Sequence, residues 1–411
     1  MSVIQTPVLI IGAGPAGVST ALFLAKKNIP CVLVEKESFP RDKICGDALS
    51  GKVVDILSKY DPNIMDLFAQ NPNQVGSYGI NFYSPNGKCL SVPFSLQYKE
   101  LKRAPGFVSK RIHFDSFLIE EVRKHTCITL IEGAFVKEYE WNSEIKRVWV
   151  GDQLYEPQIL IACDGANSIF QKQVKEETFE LAISDSSYGL RAYYTNVKEL
   201  HEDNFIELHF LPEILPGYFW IFPMNDGQAN VGLGLGADII KAKKLHLPAL
   251  LEQILRLPQF KDRFKDASMI GSVKLHALPM GNKRRILSGD RYILAGDAAA
   301  LIDPFTGEGI GNALISGMVA AQVIEEAILA QDFSAKRLSK YDELLYRRLS
   351  AELQLSTKLQ SLVKYPSLFN FVVNKANKNK TLRDTISSMF EDVDIRSQFK
   401  NPIFYLKLLF N

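Results

Sequence analysis

The stretch Val8-Leu-Ile-Ile-Gly12-Ala-Gly14-Pro-Ala-Gly17 decides the fold. Four apolar residues in a row read as a short buried strand, and an apolar helix is expected from Val18 to Lys27. Cys31–Val34 is a second buried strand, ended by Glu35. Strand, glycine turn, helix and strand make a βαβ unit, the start of a doubly wound parallel sheet. Each glycine has a separate task. Gly12 permits the tight turn, Gly14 lets backbone approach a pyrophosphate, and Gly17 lets helix and strand pack closely. The helix N-terminus adds free N–H groups and a positive dipole end. Glu35 is placed to accept hydrogen bonds from adenosine ribose hydroxyls, and its charge would repel a 2′-phosphate.

Moving outward, Ile159–Ala162 and Tyr292–Ala295 repeat the buried-strand pattern. Between them the chain alternates polar and apolar residues with turn sequences such as Ser84-Pro-Asn-Gly87, which predicts antiparallel sheet. A helix is expected over Phe114–Lys124 and a long one from about Gly309 to Ala330, with more helix beyond, interrupted near Pro366 and Pro402. The expected fold class is α/β: a doubly wound, nucleotide-binding Rossmann-like domain with an inserted antiparallel-sheet substrate domain and a C-terminal helical extension. The expected nucleotide-binding domain comprises residues 1–75, 109–175 and 286–330. Residues 76–108 and 176–285 would form the substrate domain, and 331–411 the helical region.

The glycine turn alone suits NAD and FAD equally. Ala295-Gly296-Asp297-Ala298-Ala299 makes the choice, followed by Asp303-Pro304-Phe305-Thr306-Gly307-Glu308-Gly309-Ile310. A buried strand delivers Asp297 to the sheet edge, where its carboxylate suits a ribityl hydroxyl. The Gly307–Gly309 turn then opens a second helix toward a flavin, an element that a nicotinamide dinucleotide does not need. Cys163-Asp164-Gly165-Ala166-Asn167-Ser168 follows another buried strand. In this order the three elements resemble the flavoprotein monooxygenase superfamily typified by p-hydroxybenzoate hydroxylase.

A sharper likeness lies in Phe39-Pro-Arg41-Asp-Lys43-Ile-Cys45-Gly46-Asp47-Ala48-Leu49-Ser50. With Tyr218-Phe-Trp220-Ile-Phe222-Pro223 and the Pro304–Ile310 segment, it resembles the geranylgeranyl reductase family, over roughly residues 1–330. Those flavoenzymes saturate carbon–carbon double bonds in prenyl chains of lipids or of quinone and chlorophyll precursors. The resemblance implies Cys45, Gly46 and Ala48 against the isoalloxazine or its linker, Arg111 on the cofactor, and Val136 by the adenine. It implies Tyr218, Trp220 and Phe222 lining a substrate cavity, and Gly309 and Ile310 presenting backbone N–H groups to the pyrimidine edge.

Reducing an isolated alkene takes a hydride at one carbon and a proton at the other. A neutral thiol at Cys45, with an ordinary pKa of roughly 8.5, suits the second task in an apolar cavity. Arg41 and Lys43 pull the other way if they face the sulfur, because cations favour thiolate. Asp47 is the weaker alternative as donor. Val231-Gly232-Leu-Gly234-Leu-Gly236 is a decoy: its period of two puts the glycines on one face of a strand, inviting a bulky neighbour such as Trp220 or Phe222.

Composition sets the outer limits. A formal charge of +2 and 46% hydrophobic residues describe an ordinary globular chain. Five scattered cysteines without a CxxC pair predict neither a disulfide framework nor a metal site. Cys31, Cys127 and Cys163 are expected in the core. No nucleic-acid partner is expected. No run of roughly 18 apolar residues is evident, so a cytoplasmic location is expected. From Gln331 onward fourteen Lys/Arg face eight Asp/Glu, and Ile403–Phe410 is apolar with one lysine. The basic run suits anionic lipid headgroups or a solvated helical surface, and the apolar tail suits a bilayer or docking on the protein's own surface. The expected partners are a hydrophobic small-molecule substrate and an external electron donor: NAD(P)H, ferredoxin or a quinol. The rival readings are a flavin-dependent monooxygenase or halogenase acting on an aromatic substrate, and a flavin carrier without catalysis.

Overall fold

The computed structural model describes residues 3–379 other than 143, 175–178 and 180, together with residue 383. The call on Ile403–Phe410 and the break at Pro402 lie outside the described residues.

All the stretches read as buried strands enter one sheet. Its spatial order is Ser288–Gly289, Tyr292–Leu294, Gln153–Ala162, Val3–Ile11, Cys31–Val34 and Ile128–Ile131. The four pairings from Tyr292–Leu294 to Ile128–Ile131 are parallel. Continuous apolar runs are what such strands require, since both faces are covered by helices. Pro15–Ala25 covers one face, starting three residues earlier than the apolar pattern suggested because Pro15 is suited to a helix's first turn. The expected helix over Phe114–Lys124 is Arg111–Arg123.

The alternating segments form a second, seven-stranded sheet. Its order is Ser268–Pro279, Ser186–Thr195, Ala229–Gly236, Tyr218–Pro223, Ile206–His209, Gly79–Tyr83 and Cys89–Pro93. The Ser84–Gly87 turn joins the last two strands, with the Gly87 N–H donating to the Ser84 carbonyl at 2.8 Å. A three-stranded sheet of Ala48–Leu49, Gly106–Ser109 and Gln74–Ser77 lies where the chain passes between the two.

The helix Ile310–Ala330 is long and apolar enough to cross a membrane, which corrects the expectation that no such run exists. Here most of it is buried, packed on Pro15–Ala25. A Cβ on Gly317 would stand 2.3 Å from the Ala16 carbonyl oxygen, and the Ser19 hydroxyl donates to the Leu314 carbonyl at 2.7 Å. The helices Ala335–Val363 and Pro366–Lys378 follow, parted near Pro366 as expected. The first pins itself to the parallel sheet, Tyr341 donating to the Leu294 carbonyl at 2.9 Å. Phe369 and Val373 of the second join a core cluster with Trp220 and Phe222.

Candidate active site

Three turns meet at the C-terminal edge of the parallel sheet, the usual ligand position in an open α/β fold. Gly12 has φ +99°, and a Cβ there would lie 2.4 Å from the Cys163 carbonyl oxygen. A Cβ on Gly17 would lie 1.9 Å from the Gly12 carbonyl oxygen, so the close packing read from the sequence is physical. Around Gly14 nothing lies within 4 Å of that position; its open side faces the cavity. Gly296 (φ +62°) brings the Asp297 loop onto the first helix, its added Cβ falling 2.9 Å from that of Ala16. The segments near Gly12 and Ala295 thus converge.

The cavity they border has a volume of about 2120 Å³ and runs through both sheets' territory. Gly12, Gly14, Glu35, Arg111, Val136 and Asp297 line it, as do Cys45, Gly46, Ala48, Gly309 and Ile310. Tyr218, Trp220 and Phe222 line it too. Gly17 alone among the site residues read from the sequence stands back from it, because its task is packing. Asp164 also borders the cavity, with one carboxylate oxygen buried and unpartnered and the other accepting from the Ile169 N–H at 2.9 Å.

Glu35 is oriented by its own turn. One oxygen accepts from the Ala13 N–H at 3.1 Å and the other from the Glu37 N–H at 3.2 Å. Arg41 reaches Glu35 at 3.3 Å and Asp115 at 2.7 Å. Lys43 has Asp297 as its nearby counter-charge, and burial draws its pKa down. The cation whose charge is felt at the Cys45 sulfur is neither of these but Arg111, which sequence reasoning placed only on the cofactor. Arg111 is itself clamped by Asp115 through two hydrogen bonds of 2.7 Å.

Burial pushes the Cys45 thiol up; Arg111 lowers it and Asp47 raises it, and the outcome is a raised pKa. The neutral thiol is therefore the resting form. Asp47 is fully buried at φ +67°, a conformation that Asp tolerates better than most residues. One of its oxygens accepts from Tyr193 at 2.6 Å and from Asn230 at 2.9 Å; the other has no partner. Burial pushes its carboxyl up to about 6.

Trp220 is fixed on the glycine face, as expected for the decoy strand. A Cβ on Gly232 would fall 2.3 Å from its ring, and one on Gly234 3.9 Å; Gly236 meets Asp238 instead. The indole N–H donates to Asn230 at 2.9 Å, and Gly46 sits under Phe222, whose ring is 3.1 Å from the position of an added Cβ. Tyr218 donates to the Thr306 carbonyl, tying the aromatic strand to the loop before Gly309. Phe94 and Phe107 also line the cavity, whereas Tyr194 and Phe219 belong to the core on the other side of this sheet. Sequence reasoning missed Asn230, Arg191 and His276, and counted Tyr193 only among the aromatic side chains of a cavity wall. His276 lines the cavity from the edge strand, its Nε2 buried without a partner.

The FAD binding domain model matches residues 5–127, and the geranylgeranyl reductase catalytic domain model matches 185–265. The chain is thus similar to the geranylgeranyl reductase family of FAD-dependent oxidoreductases. A digeranylgeranylglycerophospholipid reductase of Thermoplasma acidophilum is 28% identical over 83% of each chain. One of Methanococcus vannielii is 28% identical over 94% of this chain and 92% of its own. A menaquinone reductase of Mycobacterium tuberculosis is 26% identical over 81% and 80%. Among solved structures, a geranylgeranyl bacteriochlorophyll reductase-like protein of Thermoplasma acidophilum superposes with a TM-score of 0.79, at 24% identity and 91% of each chain. A flavin-dependent brominase superposes at 0.74, with 19% identity over 98% and 99%. The fold is thus common to reductases and halogenases, while the catalytic domain model that this chain matches is that of the geranylgeranyl reductases.

The residues present fit FAD. Glycines leave no side chain along the pyrophosphate path, the helices starting at Pro15 and Ile310 point their N-termini inward, and buried Asp164 and His276 atoms lack partners.

Proposed function

We propose that this enzyme reduces carbon–carbon double bonds of a prenyl chain carried by a lipid or quinone. The observation that carries the reading is the single cavity, continuous from the nucleotide cradle to a chamber walled by Phe82, Leu90, Leu208, Trp220 and Phe305. A long apolar chain suits such a chamber; burying it yields roughly 0.8 kcal/mol per CH₂. The digeranylgeranylglycerophospholipid and menaquinone reductases among its relatives support the same substrate class.

FAD, bound and reduced by the external electron donor, would supply the hydride. Glu35 would hold the adenosine ribose, Val136 the adenine side, Asp297 the ribityl chain, Arg111 the linker, and Gly309 and Ile310 the pyrimidine edge. Gly46 and Ala48 give the ring a flat, uncharged approach. Tyr218, Trp220 and Phe222 align the alkene and exclude water. Cys45, held neutral by burial, gives the proton to the second carbon. The electron donor is NAD(P)H, ferredoxin or a quinol, and the enzyme works in the cytoplasm against the membrane that holds its substrate. Residues 1–75, 109–175 and 286–330 act as the FAD unit, 76–108 and 176–285 as the substrate unit, and 331–411 as a helical cover.

The test is anaerobic incubation of dithionite-reduced, FAD-loaded protein with digeranylgeranyl phospholipid and with menaquinone. A gain of two hydrogens per double bond, read by mass, is expected. A product carrying new oxygen or halogen under air, with no anaerobic reduction, would assign the protein to the oxygenase branch instead.

A further inference from the structure

Proton transfer from Cys45 leaves a thiolate behind, and the enzyme must recharge it before the next double bond. The surroundings of Asp47 supply a means. Cys45 and Asp47 are tied through one amide: Asn230 Nδ2 donates to the Cys45 carbonyl at 3.0 Å and to an Asp47 oxygen at 2.9 Å. The same Asn230 holds Trp220. Tyr193 donates its hydroxyl to that Asp47 oxygen, and its ring lies between Arg191, 4.0 Å away, and Lys110, 4.8 Å away. Arg191 in turn pairs with Asp42 at 2.8 Å, where the chain reaches solvent. The Tyr193 hydroxyl is thereby held on Asp47, which borders the cavity beside the loop that carries the thiol.

A purely structural part would need only an acceptor for Tyr193 and Asn230, and an asparagine would provide it. The aspartate adds a second oxygen, buried and without a partner, and a proton that can leave. Groups of both charges face it: Cys45 on its own loop, Arg111 from the helix Arg111–Arg123, and Arg191 and Tyr193 from the strand Ser186–Thr195.

We propose that Asp47 is the proton store for Cys45. The thiol S–H bond breaks as the new C–H bond forms, leaving the thiolate with the electron pair. The Asp47 O–H then breaks to restore S–H, and the carboxylate regains its proton from water that enters the cavity it borders once the product leaves. No oxidant or reductant is consumed in the reset. The carboxyl's raised pKa of about 6 agrees with a group that can hold and release this proton near neutrality.

The inference rests on Cys45 being the acid, so the test separates the two. The protein is the full-length, FAD-loaded enzyme; the variants are Asp47→Asn and Cys45→Ala. In Asp47→Asn the first double bond per site should be reduced within about threefold of the wild-type rate. Later turnovers should slow by about a hundredfold, the lower range for general acid–base assistance. Cys45→Ala should lose the first turnover as well. A second readout needs no substrate: the pH dependence of Cys45 alkylation in the oxidised holoenzyme, followed by peptide mass. Removing the Asp47 charge should shift that profile to lower pH, raising the rate about threefold at a fixed pH below the midpoint. First and later turnovers slowing together, or neither changing, would overturn the store. If Cys45→Ala keeps full activity, the acid assignment falls and the store with it. If the wild-type enzyme reduces no prenyl substrate, the proposed function fails, and an unshifted alkylation profile then overturns the coupling independently.

Discussion

The nucleotide cradle and the aromatic chamber both depend on glycine, but in opposite ways. In the cradle, Gly12 and Gly17 remove side chains so that backbone can touch backbone, with contacts of 2.4 and 1.9 Å awaiting any Cβ. In the chamber, Gly189 removes a side chain so that others can fill its place: an added Cβ would meet only side chains, Leu278 at 3.2 Å and Trp220 at 3.9 Å. Backbone cannot yield to a new methyl group, whereas a leucine side chain can turn aside. A methyl group therefore carries different costs in the two regions.

That contrast orders the consequences of substitution. Gly17→Ala forces the first helix off its strand, and the expected outcome is protein that neither folds nor turns yellow, checked by flavin absorbance per mole of purified chain. Full FAD occupancy in that variant would break the contrast. Next in size is the pH dependence set by Asp47. Its carboxyl is raised from 3.8 to about 6, so the neutral form is favoured in the folded state. The contribution is complete below about pH 4 and is lost as pH rises through 6. Denaturant unfolding at pH 4 and pH 7 should show wild-type losing on the order of 2–3 kcal/mol relative to Asp47→Asn. Parallel curves for the two proteins would refute it.

The cradle was legible in the sequence because its rules are local: Gly12, Gly14, Gly17 and Glu35 lie within one βαβ unit. Asp297 and Gly309 lie far along the chain, yet each follows its own buried strand or turn and declares itself there. The polar lining around Cys45 was not legible. Asn230 reaches it from a strand 185 residues away, and Tyr193 reaches Asp47 from 146. Neither position departs from the alternation of an ordinary strand. The charge felt at Cys45 was not legible for a similar reason. Arg41 and Lys43 are its neighbours in sequence, but Arg41 pairs with Glu35 and Asp115 while Lys43 has Asp297. The cation acting on the sulfur comes from the helix beginning at Arg111. The apolar helix Ile310–Ala330 teaches the converse. Its composition suits a bilayer, and a small-residue face lets another helix cover it instead.

Two smaller effects sharpen the comparison on the chamber side. Gly189→Ala should fold and bind FAD, with Leu278 displaced, at a cost of about 1–3 kcal/mol seen as a lowered Tm. Loss of FAD binding there would show that the chamber and cradle are one rigid unit. Ser356→Ala probes the opposite wall. Ser356, on the long C-terminal helix, donates to Asp303 at 2.5 Å. Asp303's other oxygen accepts from the Phe305 and Thr306 N–H groups at 2.9 and 2.8 Å, shaping the turn that leads to Gly309. Asp303 keeps those donors when Ser356 is cut back, so the turn should hold and stability should fall by only about 1–2 kcal/mol. The flavin spectrum is the discriminating measurement. An unchanged absorbance band with a modestly lower Tm means the helix leans on a turn already made. A shifted band would mean that the helix helps to set the ring's surroundings, extending the site across a contact between segments 53 residues apart.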